Sequence, residues 1–372
     1  MLTGPLQKLK PSFSGHETFP MRYGWLTKIM DFFNPDQDRN TLIDKYAIFG
    51  RSADKINIAD LVANFGVGKN MVYSMKFWGE KSGTIKRTKE GGGLTDLGQI
   101  IFNNDPYLDY QSTLWLIHWK LCSNPKQLTA FYYAFNYYTS LEVSRHELAN
   151  SLLQLKKDNE WISSADESIK RDCEVLFRSY SISRNKKNAI AEDSFECPLS
   201  ELNIIHETIN ANDAKTYQFV IDDKKSIDNY VFGYALEEFW NTNYKDQETL
   251  TIDKITNDFG SPGKVFKIDE LSIANRLSEL ENLTKGYYRW TDTTGLNQMS
   301  RNKEVSFNSI KFLEKSFKQI KKQKACLCQI RSKLFSQNFS HAHDSCISMK
   351  QGRKDHLLFC NSYQRKARLY LY

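Results

Sequence analysis

The clearest periodic pattern of apolar and polar positions lies between residues 47 and 102. Residues 57–65 have the apolar spacing of a short helix, and Gly66 stands where a helix commonly ends. After a Val-Gly turn, residues 69–78 place apolar side chains at the i, i+4 and i+7 positions of one helix face, namely Met71, Met75 and Trp78. The pattern predicts two helices joined by a tight turn, with these three side chains in the core.

A basic, glycine-rich segment follows the second predicted helix. It runs from Lys86 to Gly93 between two apolar residues, Ile85 and Leu94, which is typical of a hairpin with a charged tip. Helix, turn, helix and hairpin in this order indicate a winged helix-turn-helix. The side chains that such a module directs toward DNA suit phosphates better than base edges: Lys69, Asn70, Tyr73, Lys76, Lys86, Arg87 and Lys89. Because winged helices also serve as protein-binding modules, this alternative stays open.

Two further regions show regular patterns. Between residues 110 and 155, apolar and aromatic residues recur with helical spacing, which favours packed helices with an aromatic core over a platform for stacking bases. Residues 251–290 repeat the early pattern, with a short segment, a turn, a helix that Asp269 caps and that runs to Leu280, and then a strand ending at Trp290. This repetition predicts a second winged-helix-like unit.

The fold class that these patterns predict is mostly α with small β wings, an α+β arrangement. At 372 residues the chain is long enough for two or three hydrophobic cores. We predict four parts: residues 1–104 with a Gly-His-Glu motif and the winged helix-turn-helix, residues 105–180 with the aromatic-rich helices, residues 181–312 with an α+β region that contains the second winged-helix-like unit, and residues 313–372 as a basic tail.

The distribution of charge restricts where nucleic acid could bind. The net charge is +7, but residues 315–372 alone contain 13 Lys or Arg against 2 Asp or Glu. Residues 1–104 contain 14 basic and 10 acidic residues, and the region between these two segments is acidic. A uniformly basic DNA-binding body is therefore excluded. Any nucleic-acid footprint must come from the N-terminal module, the tail or a local patch.

Composition also bears on location. No apolar run reaches the roughly 18 to 20 residues that would cross a bilayer. The N-terminal stretch lacks the apolar centre of a signal peptide. The seven cysteines are odd in number and scattered along a long chain, which is not the pattern of a disulfide framework. We therefore expect a cytoplasmic protein.

The most unusual stretch of the sequence is residues 12–26, which place a histidine, a carboxylate and an arginine close together. His16 is a candidate general base, Glu17 a candidate ligand of Mg²⁺ or another divalent cation, and Arg22 a candidate for binding a scissile phosphate. The alternative is a structural clasp, in which His16 and Glu17 hydrogen-bond to the body of the protein while neighbouring aromatic residues pack. Adjacent residues of a strand point apart, so joint catalytic action would need an irregular loop.

Cysteine and histidine residues cluster in the basic tail. They supply enough ligands for a tetrahedral zinc ion, but their spacing matches no standard zinc finger, so a chance cluster is the alternative: Cys326, Cys328, His341, His343 and Cys346. The sequence has no P-loop, no Rossmann glycine fingerprint and no nucleophile elbow. The acidic pairs Asp222-Asp223 and Glu237-Glu238 are expected to be ordinary surface.

Several blocks of the chain, taken together, resemble a bacterial defence-associated family. The blocks are residues 14–19, 22–26, 66–72 and 290–296, and their joint presence is far more specific than any one of them. Over roughly residues 10–312 the chain resembles the SspB-like family, the DNA-nicking component of the Ssp DNA phosphorothioation system. The basic tail lies outside this resemblance.

The resemblance implies a protein that breaks one DNA strand so that partners can replace a non-bridging phosphate oxygen with sulfur. The implied partners are double-stranded DNA, a cysteine desulfurase, an ATP-pyrophosphatase-like sulfur carrier and an ATPase. It does not identify the side chains that cut, so the catalytic candidates rest on their chemistry alone. A DNA nickase is the expected activity. A non-catalytic adaptor that binds DNA and recruits the sulfur-transfer proteins is the alternative.

Overall fold

The computed structural model describes residues 4–34, 58–88, 91–140, 142–162, 164–181, 197–210, 214–293 and 295–326 of the chain. Met1–Ser316 form one compact unit, and Phe317–Tyr372 are a second unit. The finer boundaries expected after residues 104, 180 and 312 stay predictions. None of the helices in the described ranges combines the length and the apolar character that crossing a membrane requires.

Within these ranges the chain forms helices α1 to α12 and strands β1 to β8. Their bounds, in chain order, are α1 (Trp25–Phe33), α2 (Ile58–Phe65), α3 (Lys69–Lys81), β1 (Ile85–Thr88), β2 (Gly91–Leu94), α4 (Asp96–Asn104), α5 (Gln111–Cys122), α6 (Thr129–Asn136), β3 (Glu142–Val143), α7 (Arg145–Asp158), α8 (Asp166–Tyr180), β4 (Ile205–Ile209), β5 (Lys215–Phe219), α9 (Asn229–Asn243), β6 (Thr249–Thr251), α10 (Ile252–Asn257), α11 (Pro262–Phe266), α12 (Glu270–Leu283), β7 (Tyr288–Thr293) and β8 (Leu296–Arg301). The strands form small antiparallel sheets ordered β1-β2, β3-β5-β4 and β6-β8-β7. This confirms the predicted fold class, mostly α with small β wings.

Helices α2 and α3 are joined by the expected glycine turn. Gly66 has a φ of +64°, a backbone conformation that glycine adopts without a steric penalty, and it ends α2. The buried face of α3 includes Val72, Met75 and Trp78, which are at most 2% exposed. Met71, expected in the core, is only half-buried, so that prediction is wrong. The face of α3 that packs against α1 passes through Val72, the next residue, rather than through Met71.

The hairpin after α3 lies where the sequence predicts it, but most of the segment expected at its tip is paired in the strands Ile85–Thr88 and Gly91–Leu94. Ile85 pairs with Leu94, while glycines stand opposite the next two residues of β1. The following helix, α4, begins at a hydrogen bond in which the Thr95 hydroxyl accepts from the Gly98 amide at 2.9 Å. A Cβ at Gly98 would lie 1.9 Å from the Thr84 carbonyl oxygen, so only glycine permits this close packing of helix on hairpin.

The aromatic-rich middle of the chain forms the core of the first unit. All of α6 and nearly all of α5 are buried, as the helical spacing of aromatic residues predicts. His118 of α5 lies within this core, where Nε2 donates to the Val265 carbonyl oxygen at 2.8 Å and Nδ1 accepts from the Tyr180 hydroxyl at 2.6 Å. Burial lowers the pKa of His118 to about 3, because a charged imidazolium would be poorly solvated there.

The elements from α9 to β8 cover the region in which the sequence predicts a second winged-helix-like unit. Asp269 caps α12 by accepting from the Ser272 amide at 2.9 Å, as the sequence predicts. The helix continues to Leu283, three residues beyond the expected end, and β7 continues to Thr293. Strands β7 and β8 pair as an antiparallel hairpin. Strand β6 pairs with the other edge of β8.

Candidate functional site

The Gly-His-Glu motif lies in a loop with unusual backbone geometry. Ser14, Gly15, Glu17 and Thr18 have φ values of +63°, +98°, +48° and +66°. Positive φ is uncommon for residues other than glycine, and a run of such residues persists only where the surrounding structure holds it in place. At Gly15 a Cβ would lie 2.8 Å from the Phe77 ring of α3. The loop is therefore packed directly onto the second helix of the N-terminal module.

His16 is the buried centre of this loop. It is 2% exposed, and its Nε2 lies 2.9 Å from Oδ1 of Asp172, a residue of α8 that is 1% exposed. Its other ring nitrogen, Nδ1, accepts a hydrogen bond from the Thr18 amide at 3.1 Å. Because Nδ1 is an acceptor, the ring proton lies on Nε2 and is donated to Asp172. Both nitrogens of the imidazole are thus engaged within the protein.

Further hydrogen bonds fasten the loop to α3 and α8. The carboxylate of Asp172 also accepts from the Ser14 amide, at 3.0 and 3.2 Å. The Ser74 hydroxyl donates to the His16 carbonyl oxygen at 3.0 Å, and the Trp78 indole donates to the Phe19 carbonyl oxygen at 3.1 Å. These bonds match the His16 half of the structural clasp, whereas Glu17, the other residue of that alternative, is exposed. A general base needs a ring nitrogen that can reach substrate, so His16 could act as one only after leaving Asp172 or Thr18.

The three catalytic candidates occupy three different environments. His16 points into the core, whereas Glu17 is exposed to solvent. The Arg22 guanidinium lies over two aromatic rings, 5.4 Å from the centroid of Phe19 and 5.8 Å from that of Trp25. Arg22 Nε is buried without a hydrogen-bond partner in the described part of the chain. These residues are close together in the sequence, but the structure does not align their functional groups.

A magnesium site is not formed by the side chains of this loop. Across the described ranges, no group of three or more His, Cys, Asp or Glu residues is arranged to hold a metal ion. Glu17, the predicted ligand, contributes one exposed carboxylate, whereas Mg²⁺ needs a near-octahedral set of oxygen atoms. The residues present do not by themselves fit the ion. Of the proposed zinc ligands in the tail, Cys326 is exposed, and Cys328, His341, His343 and Cys346 lie outside the described residues.

The exposed side of α3 and the adjoining hairpin form a second candidate site, a nucleic-acid interface. Lys69, Asn70 and Tyr73 are exposed on α3, and the Lys69 ammonium lies 5.9 Å from the centroid of the Tyr73 ring. Lys76, one turn further along, is half-buried. Together these residues present two cations and a hydrogen-bonding amide on the more exposed side of α3.

The hairpin adds two exposed cations to this surface. Lys86 and Arg87 are exposed on β1 and pair with Gly93 and Gly92 of β2, so no side chain stands directly opposite either of them. The remaining predicted contact, Lys89, lies outside the described residues. We define the DNA-facing surface as the residues of α3 and β1 that were predicted to contact DNA and that the structure describes: Lys69, Asn70, Tyr73, Lys76, Lys86 and Arg87.

Two parts of the functional region were missed from the sequence. Asp172, the partner of His16, lies 156 positions further along the chain. The sequence indicates its burial only through the apolar residues on the same face of α8, Ile169, Cys173 and Leu176. Glu237 was expected on the surface, but it is 8% exposed and accepts from the Tyr288 hydroxyl at 2.5 Å, so that expectation is wrong. A carboxylate on an otherwise apolar helix face is the pattern that could have revealed both residues.

The chain matches one family model and is similar in fold to solved structures of one kind of protein. A family model described as a protein of unknown function (DUF4007) matches residues 13–317. A solved structure described as "SspB crystal structure" is similar with a TM-score of 0.69 and 20% sequence identity, over 84% of this chain and 90% of that chain. A second, described as "Magnesium ion-bound SspB crystal structure", is similar with a TM-score of 0.68 and 20% identity, over 82% and 88%. No curated protein matches the sequence.

Proposed function

The chain belongs to the DUF4007 family, and from this premise we propose that it is a DNA-binding subunit of a DNA phosphorothioation system. The similarity to SspB in fold, and the resemblance of the sequence blocks to the SspB-like family, support that assignment. In this role the N-terminal helix-turn-helix and its hairpin hold the DNA backbone. The proposed partners are double-stranded DNA, a cysteine desulfurase, an ATP-pyrophosphatase-like sulfur carrier and an ATPase.

The observation that carries the proposal is the combination of cations on the DNA-facing surface. Lys69, Lys86 and Arg87 are exposed on two adjoining elements, and the helix that carries Lys69 is held in a fixed orientation by its buried residues and by the clasp. Ammonium groups bind phosphate oxygens without reading sequence, whereas base readout relies on Arg, Asn or Gln side chains, of which α3 carries Asn70 alone. The surface therefore fits a positioning role on duplex DNA.

The activity that the family resemblance implies for this subunit is nicking of one strand, and we retain it as the proposed enzymatic function. His16, Glu17 and Arg22 stay its catalytic candidates, with Glu17 as the candidate ligand of Mg²⁺, an ion that is bound in one of the two similar SspB structures. No catalytic step is assigned to a metal ion, because the side chains around the loop do not form a site for it. What the loop contributes on its own is the exposed carboxylate of Glu17 and, in a separate environment, the Arg22 guanidinium over two aromatic rings.

One observation favours the alternative function, a non-catalytic adaptor that binds DNA and recruits the sulfur-transfer proteins. Both nitrogens of His16 are engaged by Asp172 and Thr18, in a position that is almost fully buried. A histidine in that state serves to hold the loop rather than to move protons to and from substrate. The adaptor needs only the DNA-facing surface and a fold that displays it.

Charge reversal on the DNA-facing surface tests the DNA-binding proposal. We expect Lys69→Glu combined with Arg87→Glu to weaken duplex binding by about tenfold or more at low salt and to flatten the dependence of log Kd on log salt, because fewer counterions are released. Lys157→Glu, an exposed position on α7 away from this surface, serves as the matched control. Unchanged affinity and salt slope in the double variant would mean that the module contacts protein instead.

A further inference from the structure

A cleft of about 590 Å³ opens beside the hairpin of the N-terminal module. Its lining includes the C-terminal end of α3, strand β1, the start of α4 and one side of α9. The charged side chains that line it are Lys81, Lys86, Asp96, Lys120, Glu237 and Glu238. None of the chemistry assigned above uses this cleft, except that Lys86 belongs both to its lining and to the DNA-facing surface.

The two glutamates of the cleft already have internal partners. Glu237 accepts hydrogen bonds from the hydroxyls of Tyr287 and Tyr288 and lies 3.4 Å from the Arg301 guanidinium. Glu238 forms an ion pair with Lys120, and it also accepts from the Trp119 indole at 2.8 Å and from the Tyr234 hydroxyl at 2.9 Å. These carboxylates are therefore compensated within the protein and leave little negative potential for the cleft.

Two lysines of the cleft are not compensated in this way. The Lys81 ammonium lies 3.5 Å from the Ser12 hydroxyl and 5.6 Å from the centroid of the Phe77 ring, and Lys86 is exposed on β1. Within the described residues, neither forms an ion pair with a carboxylate. Burial lowers the pKa of Lys81, because its ammonium is partly removed from water, and the neighbouring Glu80 carboxylate opposes this shift only in part. Asp96, exposed at the first turn of α4, is the one remaining carboxylate of the lining and is solvated.

A partly desolvated ammonium that forms no ion pair attracts an anion, and the dimensions of the cleft limit what that anion can be. Its volume lies in the range of small-ligand sites, which is enough for a nucleotide but too small for a duplex. Proteins that bind single strands use a positively charged groove that follows the backbone. Because Lys86 also lies on the DNA-facing surface, a strand leaving a duplex held there would pass the mouth of the cleft.

We propose that this cleft binds a phosphodiester of a single DNA strand, with the ammonium groups of Lys81 and Lys86 as its cationic ligands. The inference rests on the proposed function, since it assumes that the adjoining surface holds duplex DNA. It adds a second kind of DNA contact that the helix and the hairpin do not supply. Duplex is bound through its backbone on one side, and a separated strand enters the cleft on the other.

The test compares two fluorescent DNA probes on the full chain. One is a blunt duplex of about 20 base pairs, and the other is the same duplex with a single-stranded extension of about six thymidines. We expect the extended probe to bind about five- to tenfold more tightly than the blunt one, because it adds charge-assisted contacts to phosphate. Equal affinity for the two probes would overturn the inference while leaving the proposed function intact. Failure to bind either probe would overturn the proposed function.

Substitutions of the two lysines then test whether the tighter binding of the extended probe comes from the cleft. Lys81→Gln should reduce the ratio of the two affinities to about two or less, whereas Lys81→Arg, which keeps the charge, should preserve it. Lys86→Gln repeats the test at an exposed side chain that the core does not need, and Lys157→Gln on α7 should leave the ratio unchanged. A ratio that survives both glutamine substitutions in the cleft would overturn the inference. Free thymidine monophosphate could also compete with the extended probe. If it abolishes the tighter binding of that probe, and if the length of the single-stranded extension has no effect on affinity, the cleft is a nucleotide site rather than a strand site.

Discussion

Nε2 of His16 donates a hydrogen bond to Oδ1 of Asp172 over 2.9 Å, and this contact joins two residues that are 156 positions apart. The same carboxylate accepts from the Ser14 amide, so one buried side chain holds two residues of the motif loop. Since the loop also packs on α3, the bond links the helix that carries Lys69 and Tyr73 to the helical core. We therefore expect the orientation of the DNA-facing surface to depend on Asp172, a residue of α8 rather than of α3 or β1.

Removing the acceptor should destabilise the protein. Asp172→Ala leaves Nε2 of the buried His16 ring and the Ser14 amide without an acceptor, and we expect a loss of about 2 to 4 kcal/mol in the free energy of unfolding. Asp158→Ala, at the exposed end of α7, is the control, with an expected effect within about 0.5 kcal/mol. Urea denaturation measures both. Equal effects at the two positions would contradict the clasp.

Substitution of two glycines by alanine distinguishes the cost of backbone strain from the cost of a side-chain collision. Gly15 and Gly66 both have positive φ, but only at Gly15 would a Cβ meet another residue, the Phe77 ring at 2.8 Å. We expect Gly66→Ala to lower stability by about 1 kcal/mol, from the left-handed conformation alone. Gly15→Ala should lower it by about 2 to 4 kcal/mol, since overpacking adds to the same penalty. Thermal unfolding provides the comparison, and Phe77→Leu should restore part of the loss only in the Gly15 variant.

The buried histidine of the core predicts a loss of stability in mild acid. His118 has a pKa of about 3 in the folded protein against an ordinary value of 6.5, so between these pH values the unfolded chain binds a proton that the folded chain does not. Stability is complete above pH 6.5 and declines as the pH falls, by about 2 kcal/mol at pH 5. His118→Gln should remove this part of the pH dependence. A histidine NMR titration that shows protonation of His118 above pH 5 in the folded protein would contradict it.

Nicking and adaptor functions differ in what the pure protein does to a supercoiled plasmid. With Mg²⁺ present, the nicking proposal predicts conversion to the open circular form, and an intact substrate would favour the adaptor. Glu17 is exposed, so Glu17→Gln should leave the melting temperature unchanged and lower nicking by about a hundredfold if this carboxylate acts in catalysis. Activity that survives Glu17→Gln and Arg22→Gln would place the chemistry elsewhere.

The N-terminal module was predictable because its signals are local. A glycine that ends one helix, an apolar face on the next, and glycines opposite Lys86 and Arg87 in the hairpin all act over a few residues. The error at Met71 has the same origin. A helix with apolar residues at positions 71, 72, 75 and 78 fits two overlapping faces, and only its packing against α1 decides between Met71 and Val72.

The clasp and the cleft were beyond prediction because they depend on contacts between distant segments. Nothing in the spacing around His16 indicates Asp172 as its partner, although the apolar neighbours of that aspartate on α8 show that its face is buried. The cleft needs α3, β1 and α9 to lie together, an arrangement that no periodicity along the chain encodes. The aromatic residues of α5 and α6, in contrast, identify a core whatever their partners are.

The bond between the motif loop and α8 also bears on how the protein is made. Residues 14–16 leave the ribosome long before residue 172, so the nascent N-terminal module has no acceptor for the His16 ring or for the Ser14 amide. Its helices and the contacts of the loop with α3 involve only early residues, but the bonds of the loop to Asp172 can form only once α8 has been synthesised. Completion of the N-terminal module therefore waits for nearly half of the chain.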